Sequence, residues 1–343
     1  MSNLVKKLTE NFDLNDVELF ELISKDGYRE ELAKSADEVR REHYGNSVYI
    51  RGLIEFTNYC KNNCFYCGLR RDNSSISRYR LTANDIISCC DDGYNLGFRT
   101  FVLQGGEDPY FTDDRICKIV FDIKDRFSDC AITLSIGEKS YNTYKMFKDA
   151  GADRYLLRHE TANSEHYGKL HPAEMSLEAR KEALFALKDI GFQVGSGFMV
   201  GSPYQTIENI IDDLRFLQKL QPDMIGIGPY LTQADTPFAH FKSGDLFLTL
   251  RLISILRLMF PKVLLPATTA LGTLAEGGRE MGIKAGANVV MPNLSPGDVR
   301  DKYSLYNNKA YSGSEAAESL ELLKSLVKKA GYEIVVDRGD ATI

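Results

Sequence analysis

Three cysteines lie within eight residues of one another, in the segment Cys60-Lys-Asn-Asn-Cys64-Phe-Tyr66-Cys67. Thiolates at this spacing in one loop can converge on an iron–sulfur cluster, each binding a different iron. No fourth cysteine follows at a suitable spacing, so one iron would keep the open position that metal-based catalysis requires. The remaining cysteines of the chain are typical of small, buried apolar residues: Cys89, Cys90, Cys117 and Cys130.

The residues alone also leave open a zinc site or a chance grouping of core cysteines. A zinc site with three cysteines and one histidine would need a histidine close by in the sequence. None of the five histidines has finger-like spacing: His43, His159, His166, His171 and His240. The three cysteines could be unrelated core residues, but Lys61, Asn62 and Asn63 make the segment unusually polar for a core.

The composition is that of an ordinary globular protein, with 43% hydrophobic and 26% charged residues among 343. The net charge of -6 gives no basic footprint for nucleic acid. The most apolar run, residues 246–260, contains Arg251 and Arg257 and is shorter than the roughly 20 residues that span a membrane. With no signal-like N-terminal stretch, we expect a cytoplasmic protein without a membrane partner, where thiols stay reduced.

Short apolar runs alternate with amphipathic segments from residue 49 onward. The candidate strands are 49–56, 100–104, 131–136, 154–158, 193–200, 224–228, 263–267 and 288–291. The helices between them are about 82–96, 113–127, 139–150, 176–190, 206–220, 246–260 and 275–285. Eight strands alternating with helices predict an α/β fold, a (β/α)8 TIM-type barrel, with an open doubly wound sheet as the alternative.

The chain around this barrel divides into three predicted parts. Residues 1–45 form an N-terminal helical extension, residues 46–300 the barrel, and residues 301–343 a small C-terminal cap. Active sites of such barrels lie at the carboxyl ends of the strands. The cysteine segment directly follows the first strand, so we expect it at the barrel mouth.

Cys-x3-Cys-x-aromatic-Cys after the first strand of a barrel resembles the radical S-adenosylmethionine (SAM) superfamily, of the biotin synthase-like type. Gly105-Gly106-Glu107 resembles its Gly-Gly-Glu segment, and Gly197-x-Met199-x-Gly201 its adenine-binding segment after strand five. The resemblance implies a radical SAM enzyme in which Cys60, Cys64 and Cys67 bind one 4Fe-4S cluster and SAM occupies the open iron.

The same resemblance implies a set of SAM-binding residues: Tyr66, Gly105, Gly106, Glu107, Ser135, Glu160, Arg180 and Met199. Glu107 would accept from the SAM ammonium, and Tyr66 would pack by the adenine. Glu160 is a candidate for the ribose hydroxyls, because a carboxylate accepts two hydrogen bonds. Arg180 suits forked recognition of a carboxylate, with Ser135 beside it. Beyond the cluster and SAM, we assign no catalytic residue.

Longer strings resemble the HydE family, the radical SAM maturases of FeFe-hydrogenase. They include RGLIEFTNYCKNNCFYCGLRRDN (51–73), LQGGEDPY (103–110), DRYLLRHETAN (153–163) and PATTALGT (266–273). The resemblance covers about residues 45–310. The main alternative is a radical SAM amino-acid mutase of the methylornithine synthase type, which shares the barrel and the GEDPY-like string. Some relatives carry further C-terminal cysteines for an accessory cluster; here no cysteine follows Cys130, which predicts one cluster only.

The family resemblance also implies a substrate and partners. The substrate would be a cysteine-bound iron dicarbonyl cyanide unit made by the maturase HydG, and the product would pass toward the scaffold maturase HydF. An electron donor such as ferredoxin or flavodoxin would reduce the cluster. We expect the substrate deeper in the barrel, in a pocket for a small anion, because an arginine within a strand needs an anionic partner. The candidate substrate-binding residues are Arg51, Thr268, Thr269, Met291, Tyr303 and Tyr306.

Overall fold

The computed structural model describes residues 2–309 and 319–341. Three helices precede the first strand: α1 Asn3–Asn11, α2 Asp16–Ser24 and α3 Arg29–Tyr44. Asn15 caps α2 in a capping box with Glu18, and Ser2 caps α1. The division of the chain at residues 45 and 300 stays a prediction.

Parallel strands form the centre of the molecule. The strands are β1 Ser47–Ile50, β2 Gly52–Thr57, β3 Thr100–Gly105, β4 Ala131–Ser135, β5 Arg154–Leu156, β6 Gln193–Ser196, β7 Met199–Val200, β8 Met224–Ile225, β9 Gly228–Pro229, β10 Val289–Val290 and β11 Glu333–Val335. One sheet has the order β2-β3-β4-β5-β6-β8, and each of its strand pairs is parallel.

This sheet closes on itself through the segment around residues 264–266. Leu264 bridges to Met224 of β8, and Pro266 bridges to Val289 of β10. Strand β10 then pairs with β1, which continues into β2. The predicted (β/α)8 barrel is therefore confirmed, and the open doubly wound sheet is wrong.

Helices between the strands cover the outside of the barrel. They are α4 Ala83–Asn95, α5 Asp113–Arg126, α6 Tyr141–Asp149, α7 Ser164–Leu170, α8 Leu177–Asp189, α9 Ile207–Leu220, α10 Leu246–Met259, α11 Thr269–Leu274, α12 Gly278–Lys284 and, near the C-terminus, α13 Leu320–Lys329. Threonine and serine side chains accept from the first-turn amides of α4, α5, α6, α8 and α9, as such N-caps do: Thr82, Thr112, Ser140, Ser176 and Thr206.

The strands at the barrel mouth are more broken than the sequence pattern predicts. The run 193–200 is split into β6 and β7 at Gly197, whose φ of 152° is a value that residues other than glycine rarely adopt. A Cβ at Gly197 would lie 2.0 Å from the Gly226 carbonyl oxygen, so the break also permits a close approach to the neighbouring chain. The run 263–267 contributes single bridges rather than a regular strand, and the sequence pattern does not indicate α7 or α11.

The C-terminal segment covers the amino end of the barrel. Strand β11 pairs with β1, with Ser47 opposite Glu333. The residues after β11 then bind groups inside the barrel floor. Arg51 donates to the Gly339 carbonyl (3.2 Å), and the Asp340 carboxylate accepts from Arg154 (2.6 Å) and from Arg338 (2.9 Å). This tail leaves the carboxyl ends of the strands free for the functional site.

The most apolar segment of the sequence is a helix packed inside the protein. It forms α10, and its Arg257 lies buried while donating to carbonyl oxygens, including those of Gly286 (2.9 Å) and Val263 (2.8 Å). Within residues 2–309 and 319–341, no helix combines the length and apolar character needed to cross a membrane.

Replacement of Asp340 tests the contribution of the tail to stability. Burial alone would raise the pKa of Asp340, but Arg338 and Arg154 outweigh it and hold the pKa below its ordinary value. A depressed pKa stabilises the fold above the unfolded-state pKa of about 3.9 and loses this effect as the pH falls below it. We expect D340N to lower the free energy of unfolding by about 1 kcal/mol at pH 7, a value reduced for partial exposure.

Thermal melts of wild type, D340N and the exposed control E333Q check this expectation between pH 3 and pH 8. The difference between wild type and D340N should shrink below about pH 4. Equal melting temperatures of these two proteins at pH 7 would show that the tail contacts add nothing to stability.

Candidate active site

A cavity of about 400 Å³ opens at the carboxyl ends of the barrel strands. Its lining includes Cys60, Cys64 and Cys67 and every SAM-binding residue predicted from the sequence: Tyr66, Gly105, Gly106, Glu107, Ser135, Glu160, Arg180 and Met199. It also includes all the predicted substrate-binding residues except Arg51: Thr268, Thr269, Met291, Tyr303 and Tyr306. The structure thus brings these side chains together; their individual roles stay predictions.

Backbone hydrogen bonds from three separate segments hold the cysteine loop in place. The Lys61 amide donates to the Glu107 carbonyl after β3 (2.9 Å), and the Phe65 amide donates to Leu170 at the end of α7 (3.0 Å). The Gly68 amide donates to the Leu305 carbonyl from the C-terminal side of the barrel (3.0 Å). Backbone bonds therefore fix the loop, and its cysteine side chains need not hold it in place.

The three thiols of the loop lie in a poor environment for free thiolates. Burial raises the pKa of Cys60 and Cys64, and it raises the pKa of Cys67 to about 12. Repulsion from neighbouring cysteines in the same cavity lining adds to the effect at Cys64 and Cys67. Iron would supply the positive charge that thiolates require, so the donor set fits a cluster bound by three cysteines.

A single-ion metal site has a different geometry. Within the described part of the chain, no three His, Cys, Asp or Glu side chains are arranged to hold one metal ion. Cysteines that each bind a different iron of a cluster do not need to meet at one point. The other four cysteines are free thiols outside the cavity lining.

Tyr66 is fixed between two of the cysteines by a buried histidine. The Tyr66 hydroxyl donates to Nε2 of His171 (3.1 Å), while Nδ1 of His171 donates to the Tyr167 carbonyl (3.0 Å). Burial lowers the pKa of His171 to about 3, so the ring is neutral and can accept. The sequence pattern does not indicate this support, because it predicts neither α7 nor the turn after it.

The Gly-Gly-Glu segment packs against the cysteine loop. A Cβ at Gly106 would lie 2.1 Å from the Tyr59 carbonyl oxygen and 2.8 Å from Cβ of Cys60, so only glycine fits there. The Glu107 carboxylate accepts from the Asn62 side chain (2.8 Å) and pairs with Lys61 (3.2 Å). Glu107 therefore braces the loop as well as lining the cavity.

A second group of charged residues follows β5. Glu160 pairs with Arg158 (3.2 Å), and Arg180 of α8 pairs with Glu138 and donates to the Arg158 carbonyl (2.7 Å). The φ of Glu160 is 65°, a left-handed value that a glutamate rarely adopts. Its carboxylate lines the cavity from a backbone that neighbouring segments hold in place.

The opposite wall contains a charged pair that sequence reasoning missed. Glu55 of β2 accepts from Lys309 and from the Asn293 side chain (2.8 Å), and Lys309 also donates to the Tyr303 carbonyl (3.2 Å). The side chains of Glu55 and Lys309 are only 1% and 5% exposed, and both line the cavity. The available signal was a lone carboxylate in the apolar strand GLIEFT.

Arg51 is the one predicted site residue that the structure places elsewhere. It lies below the cavity, where it contacts Met224 Sδ (3.0 Å) and Gly339. With Arg154 it lines a separate space of about 10 Å³ in the barrel floor. Arg51 is the single residue between β1 and β2, and its side chain lines the floor rather than the mouth. Thr268, by contrast, lies in the cavity wall with a buried hydroxyl that has no partner among the described residues.

Comparison with known proteins agrees with this geometry. The Radical SAM superfamily matches residues 54–217, a span that runs from β2 to α9. The [FeFe] hydrogenase maturase subunit HydE of Thermotoga maritima is 48% identical over 287 residues, covering 84% of this chain and 82% of that protein. The chain belongs to the HydE family of radical SAM enzymes. The cofactors of this family are a 4Fe-4S cluster and SAM, which the donor set and the cavity fit.

Other relatives extend the comparison beyond HydE. The 3-methylornithine synthase of Methanosarcina barkeri is 35% identical over 301 residues, covering 86% of this chain and 83% of that protein. A crystal structure of methylornithine synthase (PylB) superimposes with a TM-score of 0.85 at 31% identity over 97% of both chains. A crystal structure of the maturase HydG, at 20% identity and a TM-score of 0.82, covers 97% of this chain and 75% of that one and shares the fold.

Replacement of one cysteine tests the cluster assignment in this HydE-family chain. We expect C64A, after anaerobic reconstitution, to lose the brown iron–sulfur absorbance and to bind less iron and sulfide, because two thiolates cannot hold a 4Fe-4S cluster firmly. Iron analysis and absorption spectra measure the change. C117A, which removes a thiol from α5, is the matched control and should load normally; an intact cluster in C64A would refute the ligand assignment.

Proposed function

We propose that this chain is a radical SAM maturase that acts in assembly of the FeFe-hydrogenase active-site cluster. The observation that carries the proposal is the 48% identity with a HydE over 84% of the chain, against 35% with a methylornithine synthase. The cavity supports it, because three thiols, a Gly-Gly-Glu segment and a second group of charged residues meet in one space.

The barrel divides the proposed chemistry between its two walls. Strands β4 and β5 with α8 supply Ser135, Glu160 and Arg180, which we assign to SAM. When bound, the cluster supplies the electron that cleaves SAM to methionine and a 5′-deoxyadenosyl radical. Glu160 accepts from the ribose hydroxyls, and Tyr66, held by His171, packs by the adenine. Gly106 lets the cysteine loop come close to the Gly-Gly-Glu segment.

The wall near β10 and β2 is assigned to the second reactant. Counted around the barrel from β2, strands β5 and β6 are the fourth and fifth and β10 is the last, so β2 and β10 lie across from β6 and β5. Thr268 offers a hydroxyl, Met291 and Tyr303 give an apolar surface, and the Glu55–Lys309 pair gives charge. We propose a small anionic substrate there, a cysteine-bound iron complex from HydG, with the product passing to HydF.

Two further parts of the proposal concern the setting of the enzyme. A ferredoxin or flavodoxin is the proposed electron donor. The proposed location is the cytoplasm, in which the free thiols of the cysteine loop would stay reduced until a cluster is assembled.

Product analysis tests the reaction class and the substrate separately. The protein is reconstituted anaerobically, reduced with dithionite and mixed with SAM; 5′-deoxyadenosine and methionine are expected. Their absence from a protein with a full cluster would refute the radical SAM activity. Turnover of the iron–cysteine complex is expected, whereas turnover of lysine without the complex being consumed would favour the mutase function instead.

Neutralising the Glu55–Lys309 pair tests the second-reactant wall. The double variant E55Q/K309M removes both charges, so neither remains buried without a partner. We expect SAM cleavage without substrate to stay within about threefold, and the KM for the iron–cysteine complex to rise roughly tenfold, because charge-assisted hydrogen bonds contribute about 1.5–3 kcal/mol. K302M in the same segment is the control. Equal losses in both reactions would contradict this assignment.

A further inference from the structure

Three polar side chains are fully buried together beside the cavity. Nδ1 of His159 lies 3.0 Å from Oγ of Ser196 at the end of β6, and Nε2 of His159 lies 3.3 Å from Oδ1 of Asp213 in α9. The exposed fraction of each residue is zero. Polar groups in a barrel core cost free energy, so a trio of them in one place points to a task that offsets this cost.

The arrangement has the composition of a Ser-His-Asp triad but cannot act as one. A nucleophilic serine must reach its substrate. Neither Ser196 nor His159 lines the cavity, and neither is exposed elsewhere. Burial raises the pKa of Asp213 and lowers the pKa of His159, so the environment disfavours charge on both groups. The trio is therefore better suited to fixing a backbone than to moving protons.

The backbone next to the trio is strained at the residue that faces the cavity. Glu160, adjacent to His159, has its φ at 65°, and such a strained conformation persists only where the surroundings enforce it. The Glu160 amide donates to the Gly197 carbonyl (3.1 Å), and its carbonyl accepts from the Met199 amide (3.3 Å). These bonds fix Glu160 from the β6–β7 side only.

Asp213 fixes the same turn from the helix side. Its Oδ1 accepts from the amide of Ala162, two residues after Glu160, and also faces His159, one residue before it. One carboxylate oxygen thus contacts both flanks of the strained residue. Arg180 holds the turn at a third place, through the Arg158 carbonyl.

We propose that Asp213 is a positioning residue that holds the turn 158–162 in its strained form, through His159 and the Ala162 amide, and so presents the Glu160 carboxylate to SAM. The proposal rests on the assignment of Glu160 to the ribose hydroxyls. Preorganisation of this kind means that SAM does not have to order the turn when it binds.

Equilibrium SAM binding to the reconstituted, unreduced protein is the test, measured by calorimetry. D213A removes the acceptor and should raise the Kd for SAM about tenfold. D213N keeps an oxygen that can accept from Ala162 and should restore the Kd to within about threefold of wild type. D212A, at a neighbouring residue that accepts from Asn163 (2.9 Å), is the matched control and should bind normally.

A double-mutant cycle separates positioning from general stability. E160G removes the carboxylate and gives the turn a residue that accepts a positive φ without strain. In the E160G background, D213A should lower the melting temperature but leave the Kd for SAM unchanged. An unchanged Kd in D213A alone, or the same tenfold loss in both backgrounds, would overturn the proposal.

A second variant and the wild-type and E160G measurements cover the cases in which D213A alone is uninformative. If D213A does not fold, the cycle is run with S196A, which removes only the 3.0 Å contact with His159 and should raise the Kd about threefold in the wild-type background alone. If wild-type protein with a full cluster fails to bind SAM, the proposed function itself fails. If it binds SAM and E160G binds equally well, the positioning proposal fails while the proposed function stands.

Discussion

Three half-buried thiols that line one cavity become thiolates near neutral pH when positive charge lies among them. Cys60, Cys64 and Cys67 are in this situation, because burial and repulsion between neighbouring cysteines both oppose loss of the thiol proton. The cysteine side chains therefore do not fix the conformation of the loop. Its order has to come from other parts of the fold, and much of the barrel mouth serves this need.

The supports of the loop come from distant parts of the sequence. Glu107 braces it after β3, the end of α7 binds Phe65, and Leu305 binds Gly68. The second group of charged residues is held in the same way, since Arg180 and Asp213 reach the turn around Glu160 from two different helices. In both places the cavity-lining group is held by residues from distant parts of the sequence, and two of these supports, Glu107 and Arg180, line the cavity themselves.

Local patterns in the sequence predicted most of the barrel elements, and the family resemblance predicted many of the residues that line the cavity. Alternating apolar runs indicated the barrel, and threonine or serine residues such as Thr82 and Thr206 cap its helices locally. Such signals depend on a few neighbouring residues. The placement of Arg51 in the barrel floor depends instead on distant residues, because its side chain contacts Met224 and the Gly339 carbonyl of the C-terminal tail.

The same limit accounts for the missed residues. Lys309 meets Glu55 across 254 positions, and His159 meets Asp213 through the packing of α9 on the barrel. A lone polar residue in an apolar segment shows only that a partner is required, not which one. The folded structure identifies the partner, because closure of the barrel brings the two distant residues into contact.

The pairing of β1 with both β10 and β11 has a consequence for the order in which the molecule can form. Strand β1 is made early, yet the neighbours on its two edges begin at Val289 and Glu333. During synthesis β1 therefore waits with both edges unpaired, and contacts between such distant segments form slowly. The cysteine loop, which begins three residues after β2, is held by Leu305 only at this late stage. Completion of the cluster site and closure of the barrel are thus coupled events of folding.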